Sequence, residues 1–273
     1  MIELNRIQNS MKGIESMENK YGQKWSREET ILAFYYYSKI PFGKLHKGNP
    51  DIIRIAQSLG RTPSSVSMKM CNFAHFDPSL EKRNIVGMAN ASKLDREIVS
   101  SFFNNWEELT YEADKIEKQL TTSEIPHAGA ADIELPVGST KERTVKARVN
   151  QRFFRDSVLT SYQNSCCITH INIPSLLIAS HIKPWNVSDP ATERTNPCNG
   201  LCLNALHDKA FDQGLITVMP DFTVRVSSKL DNHKHIEAMT WLLQCDKQKI
   251  HLPERFLPKK EYLEYHNDTV FIP

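Results

Sequence analysis

The sequence has no long apolar run. Its most hydrophobic windows, such as ILAFYYYSKI over residues 31–40, are short and interrupted by polar groups, whereas a bilayer-spanning helix needs about 20 apolar residues. The opening stretch MIELNRIQNSMKGIESMENK is polar and lacks the hydrophobic core of a secretory signal. The expectation is a cytoplasmic protein with no membrane partner. Charge of one sign is also missing: 34 Lys and Arg stand against 32 Asp and Glu, a formal net charge of +2. Any nucleic-acid role must then rest on local basic patches and not on a global field. The six cysteines (Cys71, Cys166, Cys167, Cys198, Cys202 and Cys245) lack the secretory context that favours disulfides. The adjacent Cys166 and Cys167, and Cys198-x3-Cys202, also lack the CxxC spacing of tetrahedral zinc sites, so structural zinc is not expected. Cys167 and Cys202 are read as small buried hydrophobes on strands.

What is present is a chain of 273 residues, enough for about two domains. The fold class is read as α+β: a helical, helix-turn-helix-like domain over residues 1–120, a linker over 121–140, and a second domain over 141–273. Three short helices are predicted between Trp25 and Pro78. Ser26 caps the first, with Glu28 and Glu29 favouring its N-terminus. The second runs from Pro50 to Leu59 and ends at Gly60. The third starts at Thr62-Pro63-Ser64, with proline in its first turn. The short turn before the last helix resembles a helix-turn-helix, and the tryptophan followed by acids resembles the Myb-like variety. On that reading Arg61, Ser64, Ser65 and Lys69 meet phosphates or base edges. A small helical unit that contacts protein or packs on its neighbour fits the same pattern.

Residues 90–120 carry Leu94, Ile98, Phe102, Trp106 and Leu109 at three- and four-residue spacing, which predicts one amphipathic connecting helix. The segment TTSEIPHAGAADIELPVGST has proline and glycine without helical period and reads as the linker. After it come Lys141, Arg143, Lys146, Arg148, Arg152 and Arg155 against Glu142, a density of positive charge that suits a phosphate backbone, or equally a solvated helix face. A helix over Gln151–Tyr162 is predicted to bury Phe153, Phe154, Val158 and Leu159, and to lead into a strand at Cys166–Thr169.

The segments FRDSVLTSYQNSCCITHINIPSLLIASHIKPW and NGLCLNALHDKAFDQGLITV, in this order and spacing, resemble the HNH nuclease family, in particular its branch among proposed bacterial restriction endonucleases. The likeness is close over residues 148–230, and PERFLPKKEYLEYHNDTVF near the end of the chain resembles the tail of those proteins. The resemblance implies a ββα-metal fold, two antiparallel strands and a helix clamping one divalent cation, acting on double-stranded DNA. His181 takes the place of the general base that activates water, a task suited to a group whose pKa lies near working pH. Asn199 matches the family's middle asparagine, which ties the loop together, and it also makes a plausible Asn-Gly turn. The family's helix ligands fall nine and thirteen residues after that asparagine, at Asp208 and Asp212, with His207 one position short as the alternative. The aspartates are spaced i,i+4, so they share a helix face. Asp212 as a mere turn cap and Asp208 as a solvated acid is the plain alternative.

Many of these nucleases have a ligand directly before the base, where this chain has Ser180. Two protein ligands with water completing the shell suit Mg2+ or Mn2+. Lys183, two residues past the base, is expected on the same strand face, where it steadies a phosphate or is simply solvated. Cutting both strands suggests a homodimer, although sequential nicking serves as well. A non-cleaving DNA-binding regulator is the alternative function. The domain division predicts that removing residues 1–120 leaves a module that still nicks DNA but has lost site preference.

Overall fold

The computed structural model describes residues 20, 22–77, 80, 91–121 and 139–273, with the side chains of 121, 139–145 and 238 excluded. Most of the expected linker therefore lies outside the described residues, as do the side chains of Lys141 and Arg143.

Three helices open the described chain: α1 Arg27–Tyr37, α2 Pro50–Ser58 and α3 Pro63–Phe73. Each start is fixed locally. Ser26 and Glu29 form a reciprocal capping box, Asn49 caps α2 and Thr62 caps α3, so backbone N–H groups that a helix start leaves unpaired find side-chain acceptors. Gly60, at φ +63°, turns the chain between α2 and α3. The expected connecting helix is two helices, α4 Lys93–Phe102 and α5 Trp106–Thr121. The break falls at residues 103–105, where Asn105 N–H donates to the Phe102 carbonyl and the Asn105 carbonyl starts α5. The bend folds α5 back along α1, and Trp106 stacks on Phe34 with ring centroids 5.8 Å apart.

A long helix, α6 Ser139–Ser161, follows. It starts well before Gln151 and takes in the last two residues of the expected linker. Cys166–Thr169 is a turn and not the expected strand, although Cys167 N–H still bonds the Cys202 carbonyl at 2.8 Å. The strands that form are β1 Leu177–His181 and β2 Gly200–Asn204, antiparallel, with His181 opposite Gly200. Helix α7 Ala205–Asp212 follows β2 directly, capped by Asn204. A second hairpin, β3 Ile216–Val218 with β4 Val224–Val226, the short α8 Thr240–Leu243 and α9 Lys260–Tyr265 complete the described elements, and a wide turn over His266–Val270 continues α9.

Apolar burial divides into two cores. One joins α1–α5 with Phe153, Cys198 and Phe256; the other joins Phe154 and Val158 of α6 with β1, β2, α7 and the second hairpin. The first core is therefore completed by residues from beyond position 140. Arg255 is fully buried at this contact, donating to the Tyr37 carbonyl and, at 2.5 Å, to the Ile40 carbonyl. Removing residues 1–120 uncovers Phe153 and Phe256 and strips Arg255 of both acceptors. Arg255→Ala, conversely, leaves two buried carbonyls unsatisfied at about 1–3 kcal/mol each. The expected result is a folding free energy lower by roughly 2–4 kcal/mol in urea melts, with the hairpin and helix of the second core unchanged.

Candidate active site

β1, α7 and the turn after α9 enclose a cavity of about 420 Å3, lined by Ser180, His181, Trp185, Asp208, Asp212 and His266 among others. His181 ends β1, and its imidazole is held on three sides. Its Nε2 lies 2.9 Å from the Arg194 carbonyl, which can only accept, so Nε2 carries the proton and Nδ1 keeps a free lone pair. The Phe154 ring stacks on it at 3.8 Å between centroids, and Trp185 meets its edge at 5.4 Å. Burial pushes the His181 pKa below the ordinary histidine range, with the Arg194 carbonyl opposing the shift, so the ring is neutral at neutral pH.

Asn199 is fully buried, and its amide ties down the loop between the strands. Its Oδ1 accepts from Lys183 N–H at 2.8 Å, while Nδ2 lies 3.2 Å from the Lys183 carbonyl and 3.4 Å from the Glu193 carbonyl. Through residues 193 and 194 this fixes the carbonyl that holds His181. The Asn-Gly pair is not a hairpin turn: Asn199 ends a tight helical turn over Pro197–Asn199, and Gly200 is extended at the start of β2. Gly200 is needed for space, since a Cβ there would sit 2.4 Å from Val158 Cγ2 and 3.0 Å from Phe154 Cζ.

Asp208 and Asp212 face the cavity from α7, as their i,i+4 spacing predicts. Burial raises the Asp208 pKa, with the Ser180 hydroxyl and Lys209 opposing. Burial and then the Asp208 charge raise that of Asp212. Two acids on one helix face, Asp208 partly buried and Asp212 exposed beside it, with the charge of Asp208 disfavouring that of Asp212, are a donor set suited to a hard divalent cation. Among the described residues, no group of three or more His, Cys, Asp or Glu side chains is placed to hold a metal.

His207 belongs to the core. It is fully buried, with Nδ1 3.1 Å from Asn204 Oδ1 and Nε2 3.2 Å from the Trp241 carbonyl, so both ring nitrogens face acceptors away from the cavity and the one N–H of the neutral ring donates to one of them. The alternative ligand assignment is corrected accordingly. His207→Ala is expected to cost roughly 2–4 kcal/mol in a denaturant melt, from the space it empties and the bonds it breaks, without altering metal affinity in the protein that remains folded.

The expected DNA contacts divide. Arg61 is buried, donating to the Gln23 and Lys24 carbonyls and pairing with Glu29 at 2.7 Å. Lys69 is buried against Asp95 at 2.5 Å, and both cations lie 4.8 Å from the Trp25 ring centre. Both assignments are corrected: the two cations hold the helical unit together, and the exposed positions of α3, such as Ser64 and Met68, carry no positive charge. Lys183 lies past the end of β1, pairs with Glu193 at 2.6 Å and sits over Tyr265, so it does not share the strand face of His181. Arg148 and Arg152 are exposed on α6, and Lys146 is half exposed, paired with Glu107 at 3.1 Å.

The sequence reading missed Arg194, Trp185, Phe154 and His266 at the site. Arg194 stacks on Trp185 at 5.3 Å and donates from Nε to the Ser188 carbonyl. His266 stacks on Phe211 at 3.7 Å between ring centres, and burial pushes its pKa down to about 4. The backbone of Gly214, at φ +67°, touches this turn so closely that a Cβ would lie 2.1 Å from the Val270 carbonyl. Only the KPW and tail motifs hinted at these contacts; nothing local marked Arg194 or Phe154.

No curated protein matches the chain. Among the described residues, no helix is long and apolar enough to cross a membrane. Residues 166–219, which contain His181, Asn199, Asp208 and Asp212, match the family model described as HNH endonuclease. HNH nucleases act on DNA and generally depend on a divalent metal. Through this segment, which spans β1, β2 and α7, the chain is similar to the HNH endonuclease family.

Proposed function

We propose that the protein is a metal-dependent DNA endonuclease that hydrolyses phosphodiester bonds at the cavity between β1 and α7. The observation that carries this reading is the held tautomer of His181: a neutral ring with its Nδ1 lone pair free, lining the same cavity as Asp208 and Asp212. In this role His181 takes the proton from the attacking water, and the Arg194 carbonyl still accepts from Nε2 once the ring is charged. Asn199 keeps the Arg194 segment in place. Asp208 and Asp212 would hold Mg2+ or Mn2+, hard ions that accept a shell of carboxylates and water. Such a cation supplies positive charge to the phosphate and the departing 3′ oxygen, leaving 5′-phosphate ends as the family resemblance implies. The exposed Arg148 and Arg152 contact the DNA backbone from α6, and the stacked Arg194 guanidinium adds charge beside the base.

The resemblance to the restriction-endonuclease branch supports a cytoplasmic role in restriction or antiphage defence. The helical unit would then meet DNA or a partner protein, and two copies would serve the two strands. A non-cleaving DNA-binding regulator is less supported, because the cations expected to serve α3 are consumed inside the fold. Incubating supercoiled plasmid with protein and magnesium, beside a chelator control, tests the reading. Nicked or linear product only with metal supports it, and binding without cleavage across magnesium, manganese, nickel and zinc overturns it. Digesting methylated and unmethylated phage genomes and sequencing the ends then identifies the preferred sites.

A further inference from the structure

We infer that Phe154, seated through Gly200, is the positioning residue that sets the orientation of the His181 imidazole. This rests on the reading of His181 as the base. The inference starts from strand register. His181 and Gly200 stand opposite each other on β1 and β2, and α6 lays one aromatic ring across both. Val158 Cγ2, 2.4 Å from where any other residue at 200 would place its Cβ, and Phe154 Cζ, 3.0 Å from it, both crowd that position, and the face of the Phe154 ring lies 3.8 Å from the imidazole centre at an interplanar angle of 11°.

A histidine at the end of a strand has two side-chain torsions to settle, and one hydrogen bond does not settle both. The Arg194 carbonyl fixes the direction of Nε2 but leaves the ring able to swing about that bond. The Phe154 face removes the swing on one side, and the edge contact with Trp185 limits it on another. With all three in place Nδ1 has one direction. A base displaced by a fraction of an ångström loses rate without losing substrate affinity, since proton transfer is felt only in the transition state. Phe154 touches neither water nor phosphate in this account. It acts only through His181.

Gly200 is the permissive half of the device. Of the three tight approaches a Cβ would make there, to Val158, Phe154 and the Pro197 carbonyl, the one to Val158 at 2.4 Å is too short to survive, so the α6 side chains packed on β2, Val158 and Phe154, must shift. Gly200→Ala and Phe154→Leu are therefore expected to share a defect although they change different elements.

The test combines nitrogen-15 NMR of His181 in metal-free full-length protein with steady-state cleavage of plasmid. Wild type is expected to show a single Nε2–H tautomer. Phe154→Leu keeps the apolar bulk and removes the flat face. It is expected to give an averaged imidazole signal and a kcat lower by about tenfold or more, with KM for DNA within about twofold. Phe154→Met, which fills the space with a flexible chain, serves if the leucine variant melts early, and the same result is expected. An Nδ1–H or averaged ring in wild type overturns the proposal without any variant. So do folded Phe154 variants whose His181 signals and kcat match wild type. Full activity in His181→Ala would instead sink the assignment of the base, and the NMR result would still report whether Phe154 orients the ring.

Discussion

His181→Ala is expected to lower kcat for plasmid cleavage by about 10²–10⁴-fold, the usual worth of a positioned general base, while the dissociation constant for DNA in calcium or without metal stays within about threefold. The asymmetry follows from the site. The imidazole is enclosed by Phe154, Trp185 and the Arg194 carbonyl, so its contribution comes in proton transfer and not in grasping the phosphate backbone. The pH profile carries the same signature. The active form is the neutral ring, which is populated above its pKa, and burial sets that pKa below the ordinary histidine value of 6.5. Activity is therefore flat through neutrality and falls only as acid reaches the lowered pKa. Measured as kcat/KM from about pH 5 to 8, an acid limb centred at or above the ordinary histidine value would contradict the placement of this ring, and metal-dependent cutting by the alanine variant would remove His181 from the reaction.

Neutralising the acid pair is expected to separate stability from activity. Asp208 and Asp212 are each pushed toward the protonated form by burial, and Asp212 further by its neighbour's charge. A raised carboxyl pKa means that the charged form costs the fold stability, a cost present above the folded pKa and relieved as pH drops below it. Asp212→Asn removes one charge at constant shape, so without metal its Tm should equal or exceed that of wild type, while cleavage falls at least about a hundredfold. Magnesium or manganese should raise the Tm of wild type, by the equivalent of about 2.7 kcal/mol at a hundred times the dissociation constant, and leave the variant nearly unmoved. Exchanging both aspartates for histidine should shift the preference toward softer nickel or zinc. A wild-type Tm indifferent to every divalent ion, or an Asp212→Asn enzyme that cleaves normally, would show that the pair does not hold the cation.

Features written in neighbouring residues were legible in the sequence. The cap at Ser26, the helix starts at Pro50 and Thr62-Pro63, the turn at Gly60 and the shared face of Asp208 and Asp212 depend on spacing within a few positions, and the structure has them as read. Apolar period was less informative where it ran on across a break: Phe102, Trp106 and Leu109 keep helical spacing through a bend that only Asn105 marks. The misread cations failed for a different reason. Arg61 and Lys69 look like surface charges until the acids that neutralise them, Glu29 and Asp95, are brought in from 32 and 26 positions away. Phe154 was correctly read as buried, but a ring against an apolar wall and a ring against the His181 imidazole have the same local pattern. Its role appears only when β1 is laid beside α6.

Phe153 and Phe154 are consecutive, yet the first lies in the core of the helical unit and the second in the core beneath the cavity. Successive side chains on a helix diverge by about 100°, so α6 works as a shared axle between two packed bodies. It cannot roll to improve the fit of one ring without withdrawing the other. A shift of α6 at Phe153 would also displace Phe154, the ring that lies against His181. The two halves share one mechanical coordinate, and a variant that loosens the Phe153 side should be felt at the imidazole before any residue of the cavity has changed.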